Sequence, residues 1–208
     1  MDKHKPRIKF RSQEYLIHYD DLSRFSSYYY QILWMIRLGP KTVLDIGIGN
    51  RTASDYLKKQ NIKVTTFDYD KRLNPDIIGD VRSLPKNIGE YDAVMCCQVL
   101  EHLPYDDFEL ALSQMKNATK KHIILSLPYA AFKFELVLRC QWILRRLAIR
   151  IPAFFLKTPK TGEHYWEIGR SGYPISKIRR SIKRAGLKII HEGSPTLNLY
   201  HHFFILEK

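Results

Sequence analysis

Val43-Leu44-Asp45-Ile46-Gly47-Ile48-Gly49-Asn50 is the stretch on which the reading of this chain turns. Val43, Leu44 and Ile46 suit a central buried strand, and Gly47 and Gly49 allow a tight turn and a close backbone approach to a ligand. Arg51 to Gln60 has helical composition, so the first amides of that helix would face the ligand. A second strand, Lys63 to Phe67, ends in Asp68, twenty-one positions beyond Gly47. That is the spacing at which a carboxylate closing the second strand of a β-α-β unit can hold both hydroxyls of a ribose. Thr52 stands where a dinucleotide fingerprint wants a third Gly or Ala. A nucleoside without phosphates therefore fits better than a pyrophosphate.

Outward from this unit, strand-like runs recur at Thr42 to Ile46, Lys63 to Phe67, Asp92 to Cys97 and His122 to Leu127, alternating with helical segments. The alternation predicts a parallel, doubly wound sheet with helices on both faces. Asp106 with Glu109 has the spacing of a capping box ahead of Leu110, Leu112 and Met115. The aromatic-rich segment 13–38 predicts one or two helices ending at Gly39-Pro40, in which Tyr28, Tyr29 and Tyr30 either line a pocket or pack on the sheet. After Pro128, the segment Phe132 to Arg150 is read as a helix, with Glu135, Arg139, Arg146 and Arg150 on one face and Pro152 as its stop. A last helix starts at Tyr173-Pro174 and ends at Gly186, turning Ile175, Ile178 and Ile182 inward. Leu187 to His191 and His202 to Leu206 read as closing strands.

These residues resemble the class I S-adenosylmethionine-dependent methyltransferases over roughly 41–130. Asp45, Gly47 and Gly49 match that family's first motif, Asp68 its ribose-binding acid, and Asp80 with Val81 its adenine-contacting position. Tyr91 to Tyr105, YDAVMCCQVLEHLPY, matches the fourth strand and the loop over the methionine end of the cofactor. The resemblance implies a Rossmann-like sheet of seven strands, mostly parallel with a final antiparallel strand, and S-adenosylmethionine as cofactor. It also carries Tyr69 and Gln98 into the cofactor-binding set. One departure is Arg51, where many members have a third glycine.

At 208 residues and 45% hydrophobic, the chain suits one α/β domain spanning 1–208, with the segment 129–173 as a substrate-side insertion. No run is long enough to span a membrane, and a cytoplasmic protein is expected. Cys96, Cys97 and Cys140 read as reduced core thiols, and no metal-ligand spacing is present, so no metal is expected. The net charge of +13 is unevenly placed. Residues 129–190 hold fourteen Lys or Arg against three acids, and residues 1–12 hold five against one, which leaves the cofactor frame close to neutral. An anionic acceptor is one reading of that field; a solubilising surface is the other.

Methyl transfer from a sulfonium depends mainly on holding the acceptor close and aligned. His102, after Glu101 at the end of the fourth strand, and His164, in the rim GEHYWEIGRSGYP, are the candidate bases. His191, His201 and His202 read as packing residues, and SLPY, Ser126 to Tyr129, is set aside as a base-methylation box because it follows the fifth strand. Three hypotheses follow: methyl transfer to a small-molecule or lipid-linked acceptor; methyl transfer to RNA, with basic segments tracking phosphates; and a non-catalytic cofactor-binding module. The basic, apolar segment 132–157 reads as a core or lid element, with contact with an anionic membrane surface as the alternative.

Overall fold

The structure is a computed structural model that describes residues 20–158 and 163–208. The basic segment 1–12 and the start of the predicted N-terminal helices lie outside the described residues, as does Gly162. Seven strands form one sheet: β1 (Thr42–Ile46), β2 (Lys63–Asp68), β3 (Ile77–Ile78), β4 (Tyr91–Cys97), β5 (Thr119–Pro128), β8 (Lys188–Gly193) and β9 (His201–Glu207). Their order across the sheet is β3-β2-β1-β4-β5-β9-β8. All neighbours run parallel except β9, which is antiparallel to both β5 and β8. The expected doubly wound sheet is present, and the reversed closing hairpin is the β8 and β9 pair.

Strand alternation divides the interior into two cores. Val43, Ala93, Met95, Phe203 and Ile205 face α1 (Leu22–Leu38) and α2 (Thr52–Lys59), where Met35, Ala53 and Leu57 are buried against them. Leu44, Val94, Cys96, Phe204 and Leu206 point the other way, onto α3 (Phe108–Ala118) and α4 (Ile175–Arg184). On that side Trp166 is fully buried, donates from Nε1 to the Leu103 carbonyl at 3.0 Å, and meets the rings of Tyr105 and Phe108 edge-on. α1 is started by Asp21, whose side chain accepts from the Arg24 amide, and stopped by Gly39 in the left-handed region at φ 64°.

Three expectations are corrected. The segment read as a helix over Phe132 to Arg150 is a hairpin, β6 (Ala131–Cys140) paired antiparallel with β7 (Ile143–Pro152). Its apolar residues 132, 134, 136 and 138 recur with a period of two, and a helix would scatter them around its axis. The turn, Gln141-Trp142, lacks the Asn-Gly type of signal, although Gln141 does take a positive φ of 32°. Second, the capping box does not form: a short turn at Tyr105–Asp107 runs into α3, and Glu109 bonds Ser181 and Arg184 of α4 instead. Third, Cys140 is exposed on the hairpin, whereas Cys96 is a core thiol.

Candidate functional site

β1 and β4 are adjacent, and the connections leaving their carboxyl ends run to opposite faces of the sheet, which opens a crevice there. A cavity of about 350 Å³ occupies it. The turn after β1 forms its floor. Gly47 has φ 79° and donates its amide to the Phe67 carbonyl at 2.9 Å. A Cβ at this position would lie 2.1 Å from a methyl of Val99, so only glycine lets the β1 turn and the β4 loop come together. Arg51, which replaces a glycine, takes the left-handed conformation itself at φ 67° and donates to the Asn74 carbonyl at 3.0 Å.

Asp68 sits where β2 ends. One carboxylate oxygen accepts the Ile48 amide at 2.9 Å and the other the Asp70 amide at 2.8 Å, which fixes the group facing the cavity. Burial raises its pKa even against these amide bonds. Asp45 is deeper: burial pushes it up to about 7, opposed by a hydrogen bond from the Ser54 hydroxyl on α2. At the far end Asp80 and Val81 line the wall, and Asp80 is paired with Arg82 at 2.6 Å, which also holds Asp107 at 2.8 Å. Tyr69 and Gln98 line the same cavity; Gln98 is held at φ 58° and donates to the Ser126 hydroxyl at 3.2 Å. All eight predicted cofactor-site residues thus border one space.

The opposite end is polar and partly sealed. His102 is placed by a short turn after β4, and its Nδ1 donates to the Glu163 carbonyl at 3.2 Å. His164 lies edge-on to His102, ring centres 4.9 Å apart, with its Nδ1 on Glu167 Oε1 at 2.8 Å. The structure therefore brings both predicted histidines together. It also gives parts to Glu101 and Glu167, neighbours of these histidines in sequence that were not singled out as site residues. Glu101 is completely buried, lines the cavity, and neither of its carboxylate oxygens has a hydrogen-bond partner among the described residues. A ligand-type atom from each of Glu101, His102 and His164 falls within 4.8 Å of the others, a grouping that spacing along the chain cannot reveal. Glu167 is the anchor of the rim, accepting from His164, from the Tyr200 hydroxyl at 2.7 Å and from Arg170 at 2.5 Å.

Electrostatics separate these groups. Burial pushes Glu101 up to about 7, with the neighbouring His164 opposing. For His164, burial favours the neutral ring, but the Glu167 bond and the charges of Glu101 and Glu167 outweigh it and hold the pKa above its ordinary value. Burial would raise Glu167, yet its three donors bring it down to about 2. His201, also on the cavity wall, is held neutral by burial and by the nearby Arg24 and Lys133. His191 and His202 have structural partners, Tyr30 at 3.2 Å and Glu192 at 2.8 Å. The three consecutive tyrosines differ: Tyr28 lines the cavity and donates to Asp20, Tyr29 is exposed, and Tyr30 packs on Phe203.

A family model described as a methyltransferase domain matches residues 18–192. No curated protein matches the chain in sequence. Among solved structures, the chain is similar to magnesium protoporphyrin IX methyltransferase (ChlM) from Synechocystis PCC 6803 with bound SAH, at 16% identity, TM-score 0.65, over 94% of this chain and 91% of that one. It is also similar to 1,6-didemethyltoxoflavin-N1-methyltransferase from Burkholderia thailandensis, at 13% identity, TM-score 0.60, over 88% and 78%. A third likeness is to the glycopeptide N-methyltransferase MtfA, at 10% identity, TM-score 0.59, over 94% and 95%. With the glycine turn, the strand-end carboxylate and the enclosing cavity in one place, the family match is met by a matching architecture. The chain belongs to the methyltransferase-domain family and is a class I S-adenosylmethionine-dependent methyltransferase.

Proposed function

We propose that this enzyme methylates an oxygen or nitrogen of a small-molecule or lipid-linked acceptor, which enters at the Glu101, His102 and His164 end of the cavity. The observation that carries the reading is Glu101, a buried carboxyl that borders the cavity and whose two oxygens have no hydrogen-bond partner among the described residues. Such a group costs stability unless something brought into the site satisfies it, and an acceptor hydroxyl or amine would.

The residues present fit the cofactor. Gly47 borders the cavity at a turn where a Cβ would collide with Val99, so the backbone there stays bare, and Asp68 stands at a strand end with its orientation fixed by two amides. Asp68 would hold the ribose hydroxyls, Asp80 and Val81 the adenine with Tyr69 beside it, and Gly47, Gly49, Asp45 and Gln98 the amino-acid end. When bound, S-adenosylmethionine supplies a methyl group already activated on a sulfonium. The chain's own part is to align the acceptor, exclude water, and receive the proton that the acceptor heteroatom gives up. Glu101 can take it as a carboxylate. His164, steadied by Glu167, can hold the acceptor or pass the proton on, and His102 closes the wall beside it.

Part of the positive charge of residues 129–190 is committed within the fold. Arg146 pairs with Glu135, Arg170 with Glu167, Arg179 with Glu192 and Arg184 with Glu109. That favours a compact acceptor over an RNA tracked along a basic groove. The fractions of a cell extract incubated with methyl-labelled S-adenosylmethionine test the acceptor class. Label in the organic-soluble or small-metabolite fraction is expected, in a cytoplasmic enzyme of this kind. Label in RNA would overturn the acceptor reading. A failure to bind S-adenosylmethionine in calorimetry, or binding that survives Asp68→Ala unchanged, would overturn the assignment of the site.

A further inference from the structure

The β6–β7 hairpin is amphipathic the wrong way round for a protein in water. Its register pairs Phe132 with Ile151, Phe134 with Ile149 and Leu136 with Leu147 on one face. These six side chains are each 43% to 57% exposed, so the apolar face points outward. Leu138 continues the row, Trp142 at the turn is 94% exposed, and Phe154, Phe155 and Leu156 extend the surface beyond β7. The polar face points inward and is tied down. Arg146 pairs with Glu135 at 2.5 Å and donates to the carbonyls of Ser194 and Pro195 at 2.8 and 2.9 Å. Glu135 also accepts the Leu197 amide at 2.9 Å, Arg150 contacts His202 at 3.0 Å, and Lys133 lies over the Tyr200 ring. A slip of one residue in the register would exchange the two faces and break this network, so the outward apolar face is specified. An apolar surface this extended on a soluble chain marks a docking site.

Charge identifies the occupant. Arg145, which pairs with Leu138 on the outward face, and Lys157, just beyond β7, have no carboxylate partner among the described residues. The hairpin's sole acid, Glu135, is on the inner face. A second copy brought against this face would oppose cations with cations. A surface of anionic headgroups over hydrocarbon satisfies both parts, with the basic side chains at the phosphates, Trp142 at the headgroup boundary and the apolar row below. Depth is limited as well. Among the described residues each strand pairs only with the other, so both outer edges keep backbone groups that must stay in contact with water or headgroups. No helix among the described residues is long and apolar enough to cross a membrane.

We propose that the outer face of this hairpin seats the enzyme on an anionic lipid bilayer, at interfacial depth. The docking does not depend on catalysis and is measured separately from it. The full-length protein is floated with vesicles of phosphatidylcholine, with and without phosphatidylglycerol, while cofactor affinity is followed by calorimetry. Binding is expected only with phosphatidylglycerol, and it should weaken as salt rises. The double substitution Arg145→Gln and Lys157→Gln should weaken it by on the order of tenfold or more. Phe134→Ser with Leu147→Ser, both on the outward face and therefore compatible with folding, should abolish it while leaving S-adenosylmethionine affinity unchanged. Equal recovery with both vesicle types, or none with either, overturns the proposal. So does a wild-type dimer in light scattering that the Phe134→Ser and Leu147→Ser variant converts to monomer, because the face would then cover a second copy. Failure of methyl transfer with vesicle binding intact would count against the reaction assigned above and not against the docking.

Discussion

Replacing Glu101 by Gln should change the pH dependence of stability, favouring the variant at alkaline pH relative to acidic pH, and should lower turnover. Glu101 is completely buried, and burial raises its pKa from 4.5 to about 7. In the unfolded chain the carboxyl would titrate near its ordinary value, so between about pH 4.5 and 7 the folded state holds the proton more tightly than the unfolded state. Stability from this group is therefore fully present below the unfolded pKa and is lost as pH rises through the folded one. The difference of about 2.5 units corresponds to about 3 kcal/mol at 1.36 kcal/mol per unit. Glutamine cannot ionise, so it escapes that penalty. Any cost of burying its amide is the same at every pH and drops out of the comparison. Thermal melts of wild type and Glu101→Gln at pH 5 and pH 8 should therefore diverge, with the variant gaining roughly 6–12 °C at pH 8 relative to its standing at pH 5. Asp45 shifts in the same direction but is common to both proteins, so it cancels. Turnover should fall in the variant, because the proton-accepting oxygen is gone, and wild-type turnover should rise as pH passes about 7. A melting difference that does not change with pH would show that Glu101 is not a buried ionisable group, and would remove the basis for its role.

Gly47→Ala should lower cofactor affinity at least tenfold in calorimetry, and adding Val99→Ala should recover only part of it, since removing the clash leaves the strain of a positive φ, about 1 kcal/mol. Full recovery, or no initial loss, would mean that the turn has another conformation. Glu167→Gln removes the carboxylate that holds His164 above its ordinary pKa, so an NMR titration of His164 should move to lower pH; an unmoved curve would place the cause elsewhere. Ser54→Ala leaves the Asp45 carboxyl without its hydroxyl donor at a buried site, for which chemical denaturation should report a loss of about 1–3 kcal/mol. A neutral result there would mean that Asp45 is held protonated with or without Ser54.

The frame was legible because its signals are local. Buried-strand residues around Asp45, glycines at 47 and 49, and an acid at the next strand end are all encoded within one β-α-β unit, and they came to rest around one cavity. The polar end was only half legible. His102 and His164 attract attention as histidines, but nothing in the sequence singles out Glu101 beside them. Its significance lies in being buried with no partner for its oxygens among the described residues, which depends on how distant segments pack around it. Glu167 and Tyr200 meet only through folding, their bond spanning 33 residues. The hairpin was misread because a run this apolar satisfies a wide helical stripe as well as two alternating strands, and its turn carries no glycine to decide between them. Yet the grouping of Glu135, Arg139, Arg146 and Arg150 on one face, inferred for a helix, is the parity that the two strands also give.

The hairpin also bears on how such an enzyme can diversify over generations. Among the described residues β6 and β7 pair only with each other, and the seven-stranded sheet shares no hydrogen-bond ladder with them. The hairpin is held to the rest by side chains such as Arg146, Arg150 and Lys133 and by the chain entering and leaving it. Its length and outer residues can thus be exchanged by mutation or recombination without re-registering a single strand of the frame. Inheritance can act on the address of the enzyme and on its chemistry as two nearly separate traits, and a lineage can carry the same reaction to a new surface by rewriting some twenty residues of cover.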